Sequence, residues 1–217
     1  MTSISPSQTP AIRARNLCFS FGTSSVLEDV DVDIEWGEVT AIAGANGAGK
    51  STLVEILAGV RRPASGVVQR AQDLALVVQR PTTPDALPLT VREVATMGTW
   101  ARHAGGSSRA GRQERRRRVE DALARVELLD LADRPFNALS GGQRQRTLLA
   151  QGIARQADIF LLDEPAAGLD AASRARTRQI LADEARRGAA VACVTHDEEA
   201  ISSADVVIRL DKGRRVS

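Results

Sequence analysis

Cysteine is nearly absent from this 217-residue chain: Cys18 and Cys193 stand far apart, a pattern that offers no disulfide framework. Histidine is equally scarce, with only His103 and His196. Zinc sites draw their ligands in close pairs, and four soft ligands so scattered do not make one. Aromatic residues are 3% of the chain, and tyrosine is missing altogether. Surfaces that hold single-stranded nucleic acid interleave stacking rings with basic residues, so this poverty, at a net charge of only +2, argues against a nucleic-acid partner. No apolar run approaches the roughly 18 residues of a membrane-spanning helix. The opening "MTSISPSQTP" has neither the basic region nor the apolar core of a secretory signal and reads as a flexible tail over residues 1–10. These absences predict a cytoplasmic protein that meets a membrane only through a partner.

What remains is ordinary globular material, 43% apolar and 26% charged, enough to bury a substantial core. Charge is uneven. "RQERRRRVE" places five arginines within residues 112–120. A solvated helix face is the plain reading, with anionic lipid headgroups or an acidic partner surface as the alternative.

Along the chain, Val30, Val32 and Ile34 alternate with acids, as in a strand with one buried face. Val39 to Ala43 is a second strand, and "STLVEILAGV" spaces Leu53, Ile56, Leu57 and Val60 as a helix does before "RRPASG" stops it. "GVVQR" and "LALVVQR" read as short strands. Three prolines in "PTTPDALPLT" mark a change, and residues 91–130 are mostly helix-forming. "DIFLLDE" and "AAVACVTHD" are apolar strands separated by the helical "AASRARTRQILADEARR". Apolar strands alternating with helices predict an α/β fold whose parallel sheet is buried on both faces. A helical region, residues 81–156, interrupts it between 11–80 and 157–217, within one domain spanning 11–217.

"GANGAGKS" fits the phosphate-loop template G-x-x-x-x-G-K-[ST]. Glycines let backbone N–H groups turn toward phosphates, and the following helix adds its N-terminal partial charge. Gly44, Ala45, Asn46, Gly47, Ala48, Gly49 and Thr52 form the cradle; Lys50 supplies a cation for the β- and γ-phosphates, and the Ser51 hydroxyl suits Mg²⁺. Asp163, ending an apolar strand, would lie beside the loop and reach that ion. Glu164 is placed to act as general base toward an attacking water. His196, at the end of the next apolar strand, faces the same crevice, and Gln79 ends "LALVVQ" where the helical region begins. A second glycine-rich device, "ALSGGQRQR", has Ser140 as a helix cap and Gly141, Gly142 and Gln143 at a helix start, a surface suited to an anion or simply a capped helix.

"GANGAGKST", "VVQ", "LSGGQRQR", "LLDEP", "GLD" and "TH" stand in the order found in ATP-binding cassette (ABC) transporter ATPases, which the chain resembles from about Ala11 to Val216. The resemblance implies a P-loop core with a mainly parallel sheet, a small antiparallel β region and an inserted helical subdomain. It also accounts for the second device. Two copies would pack head to tail, with Ser140, Gly141, Gly142 and Gln143 of one meeting the γ-phosphate held by the other. Gln79 becomes the Q-loop residue, Phe21 the ring that stacks on adenine, and Gly168, Leu169 and Asp170 the D-loop at the dimer interface. ATP and Mg²⁺ follow as cofactors. The implied partners are an integral membrane permease and an extracytoplasmic substrate-binding protein, with this chain peripheral on the cytoplasmic face. The segment from "QRPTTPDALPLTVREVATMG" through the arginine-rich helix resembles that of zinc- and manganese-type importers, so zinc or another divalent transition metal is the expected cargo. Another cargo, export, a soluble ABC ATPase acting on ribosomes or nucleic acid, and a nucleotide switch without transport are the alternatives. The ending "DVVIRLDKGRRVS" is expected to carry no appended regulatory domain.

Overall fold

The computed structural model describes residues 9–71, 73–77, 89–100 and 109–216. Two sheets organise them. The smaller is antiparallel, with β1 (Ile12–Phe21) between β2 (Ser24–Ile34) and β4 (Ser65–Arg70). The larger has six strands in the order β5 (Leu74–Val77), β6 (Ile159–Asp163), β7 (Ala190–Val194), β3 (Val39–Gly44), β8 (Val206–Asp211) and β9 (Arg214–Arg215). Its pairings are parallel except the last, between β8 and β9. This is the α/β fold that the motifs implied, antiparallel region included.

The near-continuous apolar runs of β6 and β7 have a physical cause: both faces of the sheet are covered. Ile159 and Leu161 share one core with Ala190, Ala192 and Val194. Phe160 and Leu162 enter the other with Val191 and Cys193. The first core is closed by the inner face of the small sheet and by α1 (Lys50–Ala58), through Leu53, Ile56 and Leu57. The second is closed by α4 (Gly141–Ala154) and α5 (Ala171–Arg186), and it continues into α2 (Val91–Met97) and α3 (Arg109–Arg125) through Val91, Ala95, Val119 and Leu123. Gly152 of α4 lets that helix sit close: a Cβ there would lie 3.0 Å from Phe160 and 3.1 Å from Ala75.

Sequence expectations shift at the ends of elements. Val60 does not join the apolar face of α1; Gly59, at φ 78°, ends the helix in the left-handed region and leaves Val60 exposed. The Leu57 carbonyl accepts from the Arg70 guanidinium at 2.5 Å, and the Ile56 carbonyl, which also takes the Gly59 N–H, accepts from it at 2.9 Å, a cap supplied by a distant strand. The tail assigned to residues 1–10 gives way at its last two: Pro10 is buried, and the Thr9 carbonyl accepts from the Trp36 indole at 3.1 Å. Strand β7 stops at Val194, two residues before His196. The arginine-rich segment is a helix face that is largely solvated, with Arg116 and Arg117 paired to Glu120 and Glu114 at 2.9 and 3.2 Å.

Buried Cys193 gives the fold a pH signature. Loss of solvation, reinforced by the charges of Asp163, Glu164 and Asp197, pushes its thiol from 9.0 up to about 12. Between those values the unfolded chain releases a proton that the folded chain retains, so stability falls as pH rises through that window. The whole interval is worth at most about 4 kcal/mol. Urea midpoints measured from pH 8 to 11 should fall for the wild type and fall less for Cys193→Ala. Parallel curves would remove Cys193 as the cause.

Candidate functional site

Three parallel strands deliver the site. The registers Ile42 with Val194 and Asp163 with Val194 bring the carboxyl ends of β3, β7 and β6 to one edge of the sheet. The glycine loop leaves β3 there. Gly44, at φ 148°, admits no side chain, because a Cβ would meet the Leu210 carbonyl oxygen of β8 at 2.2 Å. Gly49, at φ 97°, is pressed against β2, with the Val26 carbonyl oxygen 2.7 Å from a would-be Cβ. Both glycines therefore answer to the packing of the loop as well as to its curvature. Ala45, Asn46 and Gly47 are exposed at the crest, while Ala48, Gly49 and Lys50 are buried as the chain enters α1. The Lys50 ammonium donates to the carbonyls of Gly44 and Ala45, both at 2.8 Å. With those carbonyls turned in toward the lysine, the loop joins a cation to a helix N-terminus, the combination that attracts phosphate. Ser51 and Thr52 follow on the first turn.

Asp163 ends β6 across β7 from the loop, and its carboxylate accepts a hydrogen bond from the Ser51 hydroxyl. Burial holds this carboxyl above the usual aspartate range; Ser51 and Lys50 pull it down, while Glu164 and Glu55 push it up. Its Oδ1 is buried with no hydrogen-bond partner. A carboxylate oxygen in that state, beside a hydroxyl, is a hard donor pair of the kind Mg²⁺ takes. Among the described residues no three His, Cys, Asp or Glu side chains gather as a metal-holding group.

Glu164 lies in the left-handed region at φ 47°, unusual for a residue with a Cβ, and its N–H donates to the Val194 carbonyl at 3.0 Å. Such a conformation costs on the order of 1–3 kcal/mol and persists where surrounding structure imposes it. The result brings the Glu164 carboxylate to 3.4 Å from His196 Nδ1. Both line a cleft of about 270 Å³ with Gly168, Arg174 and Asp197. Arg174 belongs to no sequence motif. It donates to the Leu169 carbonyl at 3.0 Å and meets the Asp197 carboxylate at 3.4 Å, joining the segment after Glu164 to the segment after His196. Asp197 in turn caps α6 (Glu198–Ser202), accepting from the Glu199 N–H at 2.9 Å. No motif spacing reveals this, because an arginine in an arginine-rich helix looks like surface.

The second device forms a closed capping box. Ser140 Oγ accepts from the Gln143 N–H at 3.3 Å, and Gln143 Oε1 accepts from the Ser140 N–H at 3.0 Å. Ser140 and Gly141 are exposed, whereas Gly142 is buried. A Cβ on Gly142 would stand 2.3 Å from Ser173 Oγ, so this glycine packs the start of α4 against the start of α5. Asp170 caps α5, accepting from the Ser173 N–H at 2.9 Å. Phe21 ends β1 with 52% of its surface exposed, which suits a platform better than a core residue. Gln79 and His103 lie outside the described residues.

A family model described as "ABC transporter" matches residues 27–167. The hemin import ATP-binding protein HmuV of Streptomyces coelicolor is 41% identical, over 93% of this chain and 75% of that protein. The aliphatic sulfonates import ATP-binding protein SsuB of a Mycobacterium species is also 41% identical, over 94% and 80%. The zinc import ATP-binding protein ZnuC of Halorhodospira halophila is 32% identical, over 94% and 75%. Among solved structures, an inward-facing metal-chelate type ABC transporter is similar at TM-score 0.83 and 30% identity, covering 94% of this chain and 81% of that one. The dimeric bacterial ABC transporter cassette MJ0796 is similar at TM-score 0.78 and 26% identity, covering 95% and 97%.

Proposed function

The chain belongs to the ABC transporter family and is an ATPase of that family, and from that premise we propose that it powers import of zinc or another divalent transition metal through a separate membrane permease. The observation that carries the engine is the convergence of Lys50, Asp163, Glu164 and His196 at one sheet edge. Lys50 and the loop from Gly44 to Thr52 grip the triphosphate of ATP. Ser51 and Asp163 would hold Mg²⁺, with Gln79 added; the ion, when bound, neutralises charge on the β- and γ-phosphates. Glu164 accepts the proton of the water that attacks the γ-phosphorus as ADP departs. His196 orients Glu164 and that water, and Phe21 stacks on adenine.

Ser140, Gly141, Gly142 and Gln143 complete the site of a second copy packed head to tail. Their exposed cap and the dimeric cassette similar to this chain support that reading. ATP favours the closed pair and hydrolysis releases it, which is how a local reaction would move an attached permease. A helical unit over residues 81–156 would carry the permease contact, inserted in a single domain. Among the described residues no helix is long and apolar enough to cross a membrane. We place the chain on the cytoplasmic face of the membrane, with an extracytoplasmic substrate-binding protein delivering the cargo and no nucleic acid involved.

The metal reading draws support from the zinc and metal-chelate relatives. A second reading, sulfonate import, has the higher identity of SsuB behind it. Deleting the gene for this chain and measuring uptake of zinc, manganese, iron, hemin and an alkanesulfonate separates the two. Loss of zinc, manganese or iron uptake is expected; selective loss of hemin or sulfonate uptake would replace the cargo assignment and leave the ATPase intact.

A further inference from the structure

Phe21 is exposed yet not loose. The Arg61 guanidinium carbon lies 4.8 Å from its ring centroid and 5.2 Å from that of Phe19, and the two rings meet edge to face at 5.0 Å and 85°. Arg61 is itself held twice by Glu55. Its side-chain Nε is 2.7 Å from the Glu55 carboxylate, and its N–H donates to the Glu55 carbonyl at 3.2 Å. Glu55 belongs to α1, the helix that opens at Lys50. The left-handed turn at Gly59 folds the chain back so that Arg61 returns to Glu55 while Val60 points outward. A continuous set of contacts thus runs from the helix under the phosphate loop, through Glu55 and Arg61, to the ring of Phe21.

We infer that Arg61 is a positioning residue for the base of ATP: it locks the Phe21 ring at a set place relative to the phosphate loop, so that one ligand meets both ends at once. The inference rests on the reading of Phe21 as the adenine platform. A ring at a strand end that is half exposed would otherwise sample rotamers, and ordering it on binding would weaken affinity. A guanidinium over the ring face adds its own attraction. The ion pair with Glu55 keeps that guanidinium in place, which neither a surface arginine nor a surface phenylalanine would do alone.

The test measures equilibrium binding by the full chain of ATP and of tripolyphosphate, which carries the phosphates without the base. Arg61→Ala should weaken ATP by about three- to tenfold and leave tripolyphosphate within about twofold. Arg61→Lys should fall between, since it retains the charge and loses the planar fork. On a Phe21→Ala background, Arg61→Ala should cost nothing further, because the two act as one unit. If Phe21→Ala leaves the ratio of ATP to tripolyphosphate affinity unchanged, the platform reading falls and the role of Arg61 with it. If Phe21→Ala lowers that ratio and Arg61→Ala does not, the platform stands and Arg61 is excluded. Equal weakening of both probes by Arg61→Ala, or additive losses in the double variant, would likewise overturn the inference.

Discussion

Glu164→Gln is expected to bind ATP as the wild type does and to turn it over about 100- to 10,000-fold more slowly, the span over which a positioned general base acts. The substitution keeps the shape of the side chain, so the contact near His196 Nδ1, 3.4 Å away, survives as a neutral one. The backbone conformation at φ 47° is unchanged as well, because glutamine and glutamate tolerate it equally. What disappears is the capacity to accept the proton of the attacking water. With hydrolysis stalled, the ATP-bound pair should accumulate, and size-exclusion chromatography with Mg-ATP should show a dimer where the wild type shows a transient one. Steady-state ATPase activity equal to wild type would strip Glu164 of its role. A slow enzyme that stays monomeric in saturating Mg-ATP, with and without its permease, would instead remove the two-chain site.

Lys50→Ala should fail one step earlier. The ammonium makes two charge-assisted hydrogen bonds to the carbonyls of Gly44 and Ala45 and is 7% exposed. Removing it deletes the cation that faces the phosphates and takes one donor from each carbonyl, that of Ala45 keeping the Ala48 N–H at 3.1 Å. Charge-assisted hydrogen bonds of this kind are worth about 1.5–3 kcal/mol, so ATP affinity should drop by about 10- to 150-fold. Arginine should not rescue it, because a planar fork does not fit a position shaped for a point charge. Titration calorimetry with ATP measures the loss, and a thermal melt taken alongside reports whether the fold survives. Unaltered affinity in a folded Lys50→Ala protein would contradict the assignment of the loop.

The two variants report on residues that the chain announces plainly. The phosphate loop is contiguous, so Gly44 through Thr52 are legible without a partner strand in view. The apolar runs ending in Asp163 and preceding His196 are legible because strands buried on both faces must be apolar at every position. Element ends are less so. Whether α1 stops at Gly59 or continues to Val60 depends on a left-handed turn and on an arginine, Arg70, arriving from β4. Arg174 and Arg61 were hidden for a related reason: each works through a partner far along the chain or across a turn, and nothing in composition separates a bridging arginine from a solvated one.

By itself, then, the order of residues determined the chemistry on offer: a cation and a hydroxyl where a loop meets a helix, two acids where one strand ends, a histidine after the next. Those are local properties, and local spacing carries them. Only the tertiary structure decided that Gly142 is a packing residue lying against Ser173, that Gly44 is required by the Leu210 carbonyl, and that Glu164 is bent back toward His196. Each depends on close approach between segments distant in the chain, where a few tenths of an ångström separate contact from clash.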